Sequence, residues 1–362
     1  MDVSIYFIVF TLVFLMNLMV PKIKKTWVRR GLLILSFLTL VCFIGFRYNV
    51  GTDYDGYLKI YRGIKGNSLG YALEQNIDPA NGILFWSLSE IFSVDYWIFF
   101  MYGVASILPI YLVNRRFGYK YLSYSLLAYC FIFLPFSLNG MMQGAAMSMV
   151  LLSSFYLLDK KYFKLATLLL LAILFHKSAL LVLPHFALFY IFRKKNKGYP
   201  KINMIFTILI SVFILYFLNN FLMNNSPDFY SNYAYIVRKI SVERISLSTT
   251  IYYLPLVIFS ILSKGKGKND QISFQRNLLY TGIVYNLIGS SAQYLNRIAL
   301  YFTIFSIIVV PIQIMKVENP KKKMILKILF IIYLISAFIV QVVSLGWHDL
   351  LPYQTWIFGG GV

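Results

Sequence analysis

Hydrophobic positions in this chain fall in long runs separated by short polar stretches. Residues 3–20, 32–46, 202–222 and 325–345 pass with almost no charge. At 1.5 Å rise per residue, runs of this length match a hydrocarbon layer about 30 Å thick. Inside such a layer each segment must bond its own backbone polar groups, so each run predicts a helix. Together with the less pure runs, the pattern predicts twelve helices, near 3–20, 31–47, 96–113, 121–138, 142–158, 162–175, 178–192, 202–222, 250–263, 277–292, 297–315 and 325–345. The fold class is therefore all-α, a polytopic transmembrane bundle forming one integral membrane domain over residues 1–362. Residues 162–192 read as two helices, because Lys160-Lys161 and Arg193-Lys194-Lys195 place a basic flank at each end. Both are short, so their junction, His176-Lys177-Ser178, is expected to dip into the outer half of the bilayer.

Two outward loops are long, near 48–95 and 223–249, and loops of that length commonly carry function. The first is expected to hold an amphipathic helix over 82–92, with Leu84, Phe85, Leu88, Ile91 and Phe92 at helical spacing and Glu90 on another face. The second opens on Asn224-Asn225 and continues into Tyr230, Tyr233 and Tyr235.

Composition agrees with the pattern, since 59% of residues are hydrophobic and 13% charged, about half the charged share of a soluble domain. The formal charge of +21 would suggest nucleic acid if it were spread over a surface, but its placement argues otherwise. Six short segments, 22–30, 115–120, 160–164, 193–201, 264–276 and 316–327, hold 25 of the 34 Lys and Arg residues. Put on the cytoplasmic side, they satisfy the positive-inside rule, fix both termini outside and leave no call for a nucleic-acid partner. The first helix lacks a basic leader and a small-residue cleavage site, so it is expected to be retained. Cys42 and Cys130 lie within apolar runs and read as small hydrophobes, with no metal pair available.

Outward basic residues run against that rule and each needs a reason. Five of the nine are arginines, Arg47, Arg62, Arg238, Arg244 and Arg297. A planar guanidinium chelates phosphate oxygens bidentately, which points to a diphosphate-bearing lipid. The densest constellation is Arg47-Tyr48-Asn-Val-Gly51-Thr52-Asp53-Tyr54, continuing to Tyr57 and Tyr61. Gly51 permits a tight turn, Asp53 offers a carboxylate, and the tyrosines offer faces suited to sugar rings. The same residues also read as an interfacial aromatic belt with a snorkelling arginine. His176 reads either as a structural hydrogen-bonder or as a general base. His348, in Trp347-His348-Asp349, reads as part of an interfacial cap, and His185 as core.

The constellation resembles the signature of the EpsG family, membrane proteins grouped with Wzy-type O-antigen and exopolysaccharide polymerases. In that signature an Arg-Tyr pair leads into Gly-Thr-Asp-Tyr and a further Tyr. Phe175-His176-Lys177-Ser178-Ala179, Arg297-Ile298 with Tyr301-Phe302, and Pro352-Tyr353 are similar to other elements of the family. One element departs: Asn139-Gly-Met-Met142-Gln143-Gly-Ala-Ala146 carries Met142 where relatives carry arginine. Lys177, Arg238 or Arg244 are then the residues placed to compensate.

The resemblance implies a glycosyltransferase of the bacterial cytoplasmic membrane whose active face is periplasmic or extracellular. It would transfer a growing O-antigen, capsule or exopolysaccharide from undecaprenyl diphosphate to the non-reducing end of a second lipid-linked repeat unit. The lipid bilayer and a chain-length regulator are the other implied partners, and no cofactor or metal is called for. Arg47, Arg297, Arg238 and Arg244 are expected on the diphosphate, with Tyr48, Thr52, Gln143 and Lys177 also binding substrate. Asp53 or His176 would be the base, and Tyr54, Tyr57 and Tyr61 would line the sugar path. Two other activities compete. A flippase of the same lipid-linked sugar should carry mid-membrane ionisable residues and repeated halves, and a membrane O-acyltransferase should carry a histidine near the cytoplasmic side.

Overall fold

The computed structural model describes residues 3–195, 248–263, 270–289 and 293–358, with positions 209 and 213. The described residues are helical apart from turns, loops and an isolated antiparallel bridge between Arg47 and Thr355. Two units are present, one formed by Met1–Ala179 with Lys327–Val362, the other by Leu180–Leu326.

The first unit opens with α1 (Ser4–Met19) and α2 (Thr26–Gly45). The first long loop then folds into three helices, α3 (Tyr54–Ile64), α4 (Leu69–Glu74) and α5 (Pro79–Ile91), where the pattern predicted one. Only α5 was anticipated, and it starts at Pro79, whose fixed φ suits a first helical position. Short helices such as α3 owe their stability to packing rather than propensity. Tyr54, Leu58, Tyr61 and Ile64 recur at helical spacing along α3 and are buried with Phe85 and Leu88 of α5. Gly82 is required there, because a Cβ would stand 2.6 Å from the Ala72 carbonyl oxygen of α4.

The chain re-enters the bundle through α6 (Trp97–Arg115), α7 (Leu122–Ala128), a π-helical turn at Tyr129–Phe133, α8 (Leu134–Asn139), α9 (Met141–Leu158) and α10 (Tyr162–Phe175). The stretch Leu122–Asn139 is buried along its whole length, whereas a third of the apolar window in α1 and in α2 is buried. A helix apolar all round belongs in the middle of a bundle. Some polar groups inside are paired, as where Ser36 Oγ lies 2.8 Å from the Tyr111 hydroxyl. Arg116 grips Asp159 with both Nη atoms, at 2.5 and 2.6 Å. The α6–α7 and α9–α10 connections therefore share an end of the unit, as the alternation of basic segments requires.

A 3-10 turn at Lys177–Val182 follows α10, at the junction expected between two short helices. The second unit then comprises α11 (Leu183–Lys195), α12 (Ser248–Leu262), α13 (Asp270–Gly289), α14 (Gln293–Thr303) and α15 (Ser306–Met315). His185 is buried, with Nδ1 3.2 Å from the Leu181 carbonyl and its ring 4.7 Å from Phe302, which is the core role expected of it. Finally α16 (Pro320–Phe338) and a π-helical turn, Ile339–Ser344, lead back into the first unit.

Every predicted helix other than 202–222 has a counterpart, and among the described residues seven helical stretches are long and apolar enough to cross a membrane. The span expected at 297–315 is interrupted between Thr303 and Ser306. Apart from positions 209 and 213, the helix expected at 202–222 and the second long loop, with Arg238, Arg244, Tyr230, Tyr233 and Tyr235, lie outside the described residues.

Candidate functional site

Three distant segments meet at the end of the first unit opposite the Arg116–Asp159 pair. Leaving α2, the chain runs beside the segment after α16: Tyr48 N donates to Gln354 O at 2.9 Å, Gly51 N to Asp349 O at 3.2 Å, and Thr52 N to His348 O at 3.0 Å. Gly51 takes a φ of +105°, and a Cβ there would stand 3.2 Å from the Leu138 carbonyl oxygen. Asn139, at the end of α8 and 4% exposed, closes the group. Its Oδ1 accepts from Thr52 Oγ1 and from Asp53 N, both at 2.8 Å. Its Nδ2 lies 3.3 Å from His348 Nδ1. Thr52 is left exposed, with Asp53 and His348 partly so. His348 and Asp349 have φ of 69° and 48°, left-handed values that cost non-glycine residues roughly 1–2 kcal/mol each. Such strain persists where surrounding contacts over-determine it.

Arg47 lies beneath this turn and is fully buried. Its guanidinium sits 4.5 Å over the Phe99 ring, with Nη2 4.0 Å from Met141 Sδ and Nη1 3.5 Å from Ile44 O. Its Nε has no hydrogen-bond partner among the described residues. Burial pulls its pKa down to about 10, against the upward influence of Tyr54 and Tyr353. It therefore remains a cation at neutral pH, stacked on an aromatic face. Met142, in the position that departs from the family pattern, belongs to the adjoining apolar cluster with Met141, Tyr54 and Tyr61.

The candidate sugar-lining tyrosines separate by face. Tyr54 and Tyr61 are buried, because they share a stripe with Leu58. Tyr57, one residue off that stripe, is partly exposed, as is Tyr48. The Tyr54 hydroxyl donates to Arg47 O at 3.3 Å and accepts from Trp356 Nε1 at 3.0 Å, so it ties the turn to the segment after α16. Gln143 is buried in α9.

A second group forms where α10 ends. His176 Nδ1 lies 2.6 Å from Ser178 Oγ, and Lys177 N donates to Asp78 Oδ2 at 3.3 Å. Asn81 Nδ2 donates to Phe175 O at 2.9 Å, and its Oδ1 accepts from the Tyr102 hydroxyl. The Phe-His-Lys-Ser element is thus bound to the start of α5. Tyr57 packs against the apolar cluster that α3 forms with α5.

Burial raises the Asp78 pKa above the ordinary carboxylate value, and the Lys177 backbone N–H and charge pull the other way. A raised folded-state pKa means that the stabilising form is the protonated one. That stability is full below the ordinary value and is lost as pH rises through the folded-state value. Asp78→Asn is therefore expected to remove a loss of thermal stability that sets in as pH rises above the ordinary carboxylate range, about 4. Parallel melting curves of wild type and Asp78→Asn in detergent as pH rises above that range would contradict it.

Arg297 stands exposed on α14 of the second unit, while Ile298, Tyr301 and Phe302 of the same element are buried. The Tyr301-Phe302 pair thus anchors the helix, with Phe302 stacked 4.9 Å from Tyr285.

The family model for EpsG matches residues 30–355, from within α2 to the Thr355 bridge. The chain belongs to the EpsG family. This is a Wzy-like polysaccharide polymerase family, and a general polymerase role in the membrane follows for its member here. No curated protein and no solved structure matches the chain. Within this EpsG-family chain, the sequence pattern singled out Thr52, Asp53, His176 and Lys177, but assigned no role to Asn139, Asp78 or Asn81 and read His348 as a cap. The available signal was chemical: an asparagine ending a buried helix before Gly140 and a histidine followed by aspartate in a non-helical stretch.

Proposed function

We propose that this chain is a glycosyltransferase that joins lipid-linked repeat units, taking the growing glycan from undecaprenyl diphosphate. The acceptor hydroxyl oxygen bonds to the anomeric carbon of the donor. The bond from that carbon to the diphosphate breaks, and the diphosphate leaves on its lipid. The hydroxyl proton passes to a base, assigned first to the Asp53 carboxylate and second to His176. A diphosphate is a good leaving group once its charge is met. That task falls to Arg297, with Arg238 and Arg244, while Lys177, Thr52, Tyr48, Tyr57 and Gln143 belong to substrate binding. Arg47, enclosed as it is, acts through its field rather than by direct contact. Tyr54 and Tyr61 support the turn from within. The site would face the periplasm or exterior of a bacterial cytoplasmic membrane.

One observation supports this reading above others: a polymerase-family chain holds a partly exposed carboxylate, Asp53, on a turn bonded to two remote segments. Asp53→Asn is expected to lower polymer formation by about 10²–10⁴-fold, the usual contribution of a positioned base, without loss of protein from the membrane. The reaction class is tested by deleting the gene and displaying surface polysaccharide on a gel. A polymerase defect leaves a single repeat where a ladder stood. Loss of even that unit would indicate a flippase, and an intact ladder an acyltransferase.

A further inference from the structure

We infer that Asn139 is a positioning residue that holds His348 in one tautomer, with its proton on Nε2, so that His348 serves the site as a hydrogen-bond donor. This rests on the polymerase reading above. The orientation of the Asn139 amide follows from its partners. A backbone N–H can only donate, so the amide atom 2.8 Å from Asp53 N must be the oxygen. The other amide atom, 3.3 Å from His348 Nδ1, is then the NH₂ group, which only donates. His348 Nδ1 must accept, and the neutral ring carries its proton on Nε2. Forming an imidazolium would set two donors face to face unless the amide turned over and gave up both bonds to the Thr52–Asp53 turn.

Asn139 thereby couples two functions. One oxygen fixes Thr52 and Asp53, and one nitrogen fixes the histidine beside them. The carboxylate accepts the proton of the acceptor hydroxyl, while the Nε2–H group of His348 donates a hydrogen bond to the oxygen that gains charge as the bond to the diphosphate breaks. No proton leaves the ring in this step. The left-handed backbone at His348 and Asp349 holds the ring there. The charged residues nearest to these contacts along the chain are Asp53, on the turn that Asn139 Oδ1 bonds, and Asp349, the ring's own neighbour in sequence. From α8 come Asn139 and Phe136, whose ring centroid is 5.9 Å from that of His348; neither titrates.

Asn139→Asp tests the tautomer. A carboxylate still accepts from Thr52 and Asp53 N, but it also accepts from His348 and draws the ring proton to Nδ1. The neutral ring then lacks a proton on Nε2, and only the imidazolium has one. Full-length protein in membranes of deletion cells is supplied with the undecaprenyl-diphosphate-linked repeat units that those cells accumulate, and polymer is measured against pH. The wild type is expected to show no dependence on His348 titration. Asn139→Asp should lose about 10-fold to 10²-fold in rate as pH rises through the imidazolium range, near or above about 6.5. Adding His348→Gln, whose amide donates at every pH, should abolish that new limb. His348→Ala alone should fall at least about tenfold below His348→Gln alone, a comparison that decides the matter if Asn139→Asp fails to accumulate. A pH-independent loss in Asn139→Asp, a limb that survives His348→Gln, or equal rates for His348→Ala and His348→Gln would each overturn the inference. If the wild type itself makes no polymer from these lipids, the polymerase reading falls and this inference with it.

Discussion

Tyr353→Ala is expected to destabilise the first unit by about 3–5 kcal/mol, the range for deleting a buried aromatic ring, and to abolish polymer formation. Tyr353 is 2% exposed, stacks on Phe43 with centroids 4.5 Å apart and planes 4° apart, and meets Tyr6 edge-on at 5.4 Å. Its hydroxyl donates to the Phe43 carbonyl, and the Tyr6 hydroxyl donates to Leu350 O at 2.8 Å. These contacts dock the segment after α16 onto α1 and α2. The same segment supplies His348, bonds Tyr48, Gly51 and Thr52 through its carbonyls, and sends Trp356 N to Phe46 O and Trp356 Nε1 to Tyr54. Losing the ring therefore frees the strap that shapes the Thr52–Asp53 turn. Tyr353→Phe keeps the stack and loses one hydrogen bond, so it should cost about 1 kcal/mol and retain activity. Thermal melts in detergent, read beside polymer ladders from cells, distinguish the two variants. Equal stability of Tyr353→Ala and wild type would show that the strap is held by other contacts.

Arg47→Met is expected to leave the protein folded, with stability equal to or above wild type, and to lower polymer formation by about 10–100-fold. Burial depresses the pKa of this arginine to about 10, yet at neutral pH it carries its charge. The folded state bears that desolvation cost, with no carboxylate within ion-pair distance among the described residues to offset it. Methionine has similar reach and no charge, and apolar replacement of buried ionic groups is often neutral or stabilising. The positive potential beneath the Thr52–Asp53 turn would be lost with the charge. Arg47→Ala differs, because it opens a cavity against Phe99 and Met141 and should destabilise as well. The decisive comparison sets protein yield and melting temperature against polymer output for Arg47→Met. Wild-type polymer levels would remove Arg47 from the catalytic account.

Much of the helical frame was legible from position alone. Paired basic flanks divided 162–192 into two helices, and the Arg116–Asp159 pair joins two connections that the alternation had put on one side. The folding of the first long loop was less legible. Gly56 and Gly63 and the polar face of α3 gave it weak intrinsic helicity, and its inner face makes sense only against Phe85, Phe99 and Met141. The tyrosines illustrate the same limit. Their spacing assigns Tyr54 and Tyr61 to one stripe, but whether that stripe meets sugar or protein depends on what lies opposite.

By itself the sequence determined the membrane class, the helix spans, the segregation of charge and the family signature, since each is a property of residues near one another along the chain. Only the tertiary structure decided that Asn139 meets Thr52 and Asp53 across 87 and 86 residues, and His348 across 209. Nothing local encodes such contacts. They arise because burying the apolar faces of α1, α2, α8 and α9 brings the ends of those helices together, and the polar groups at those ends then satisfy one another.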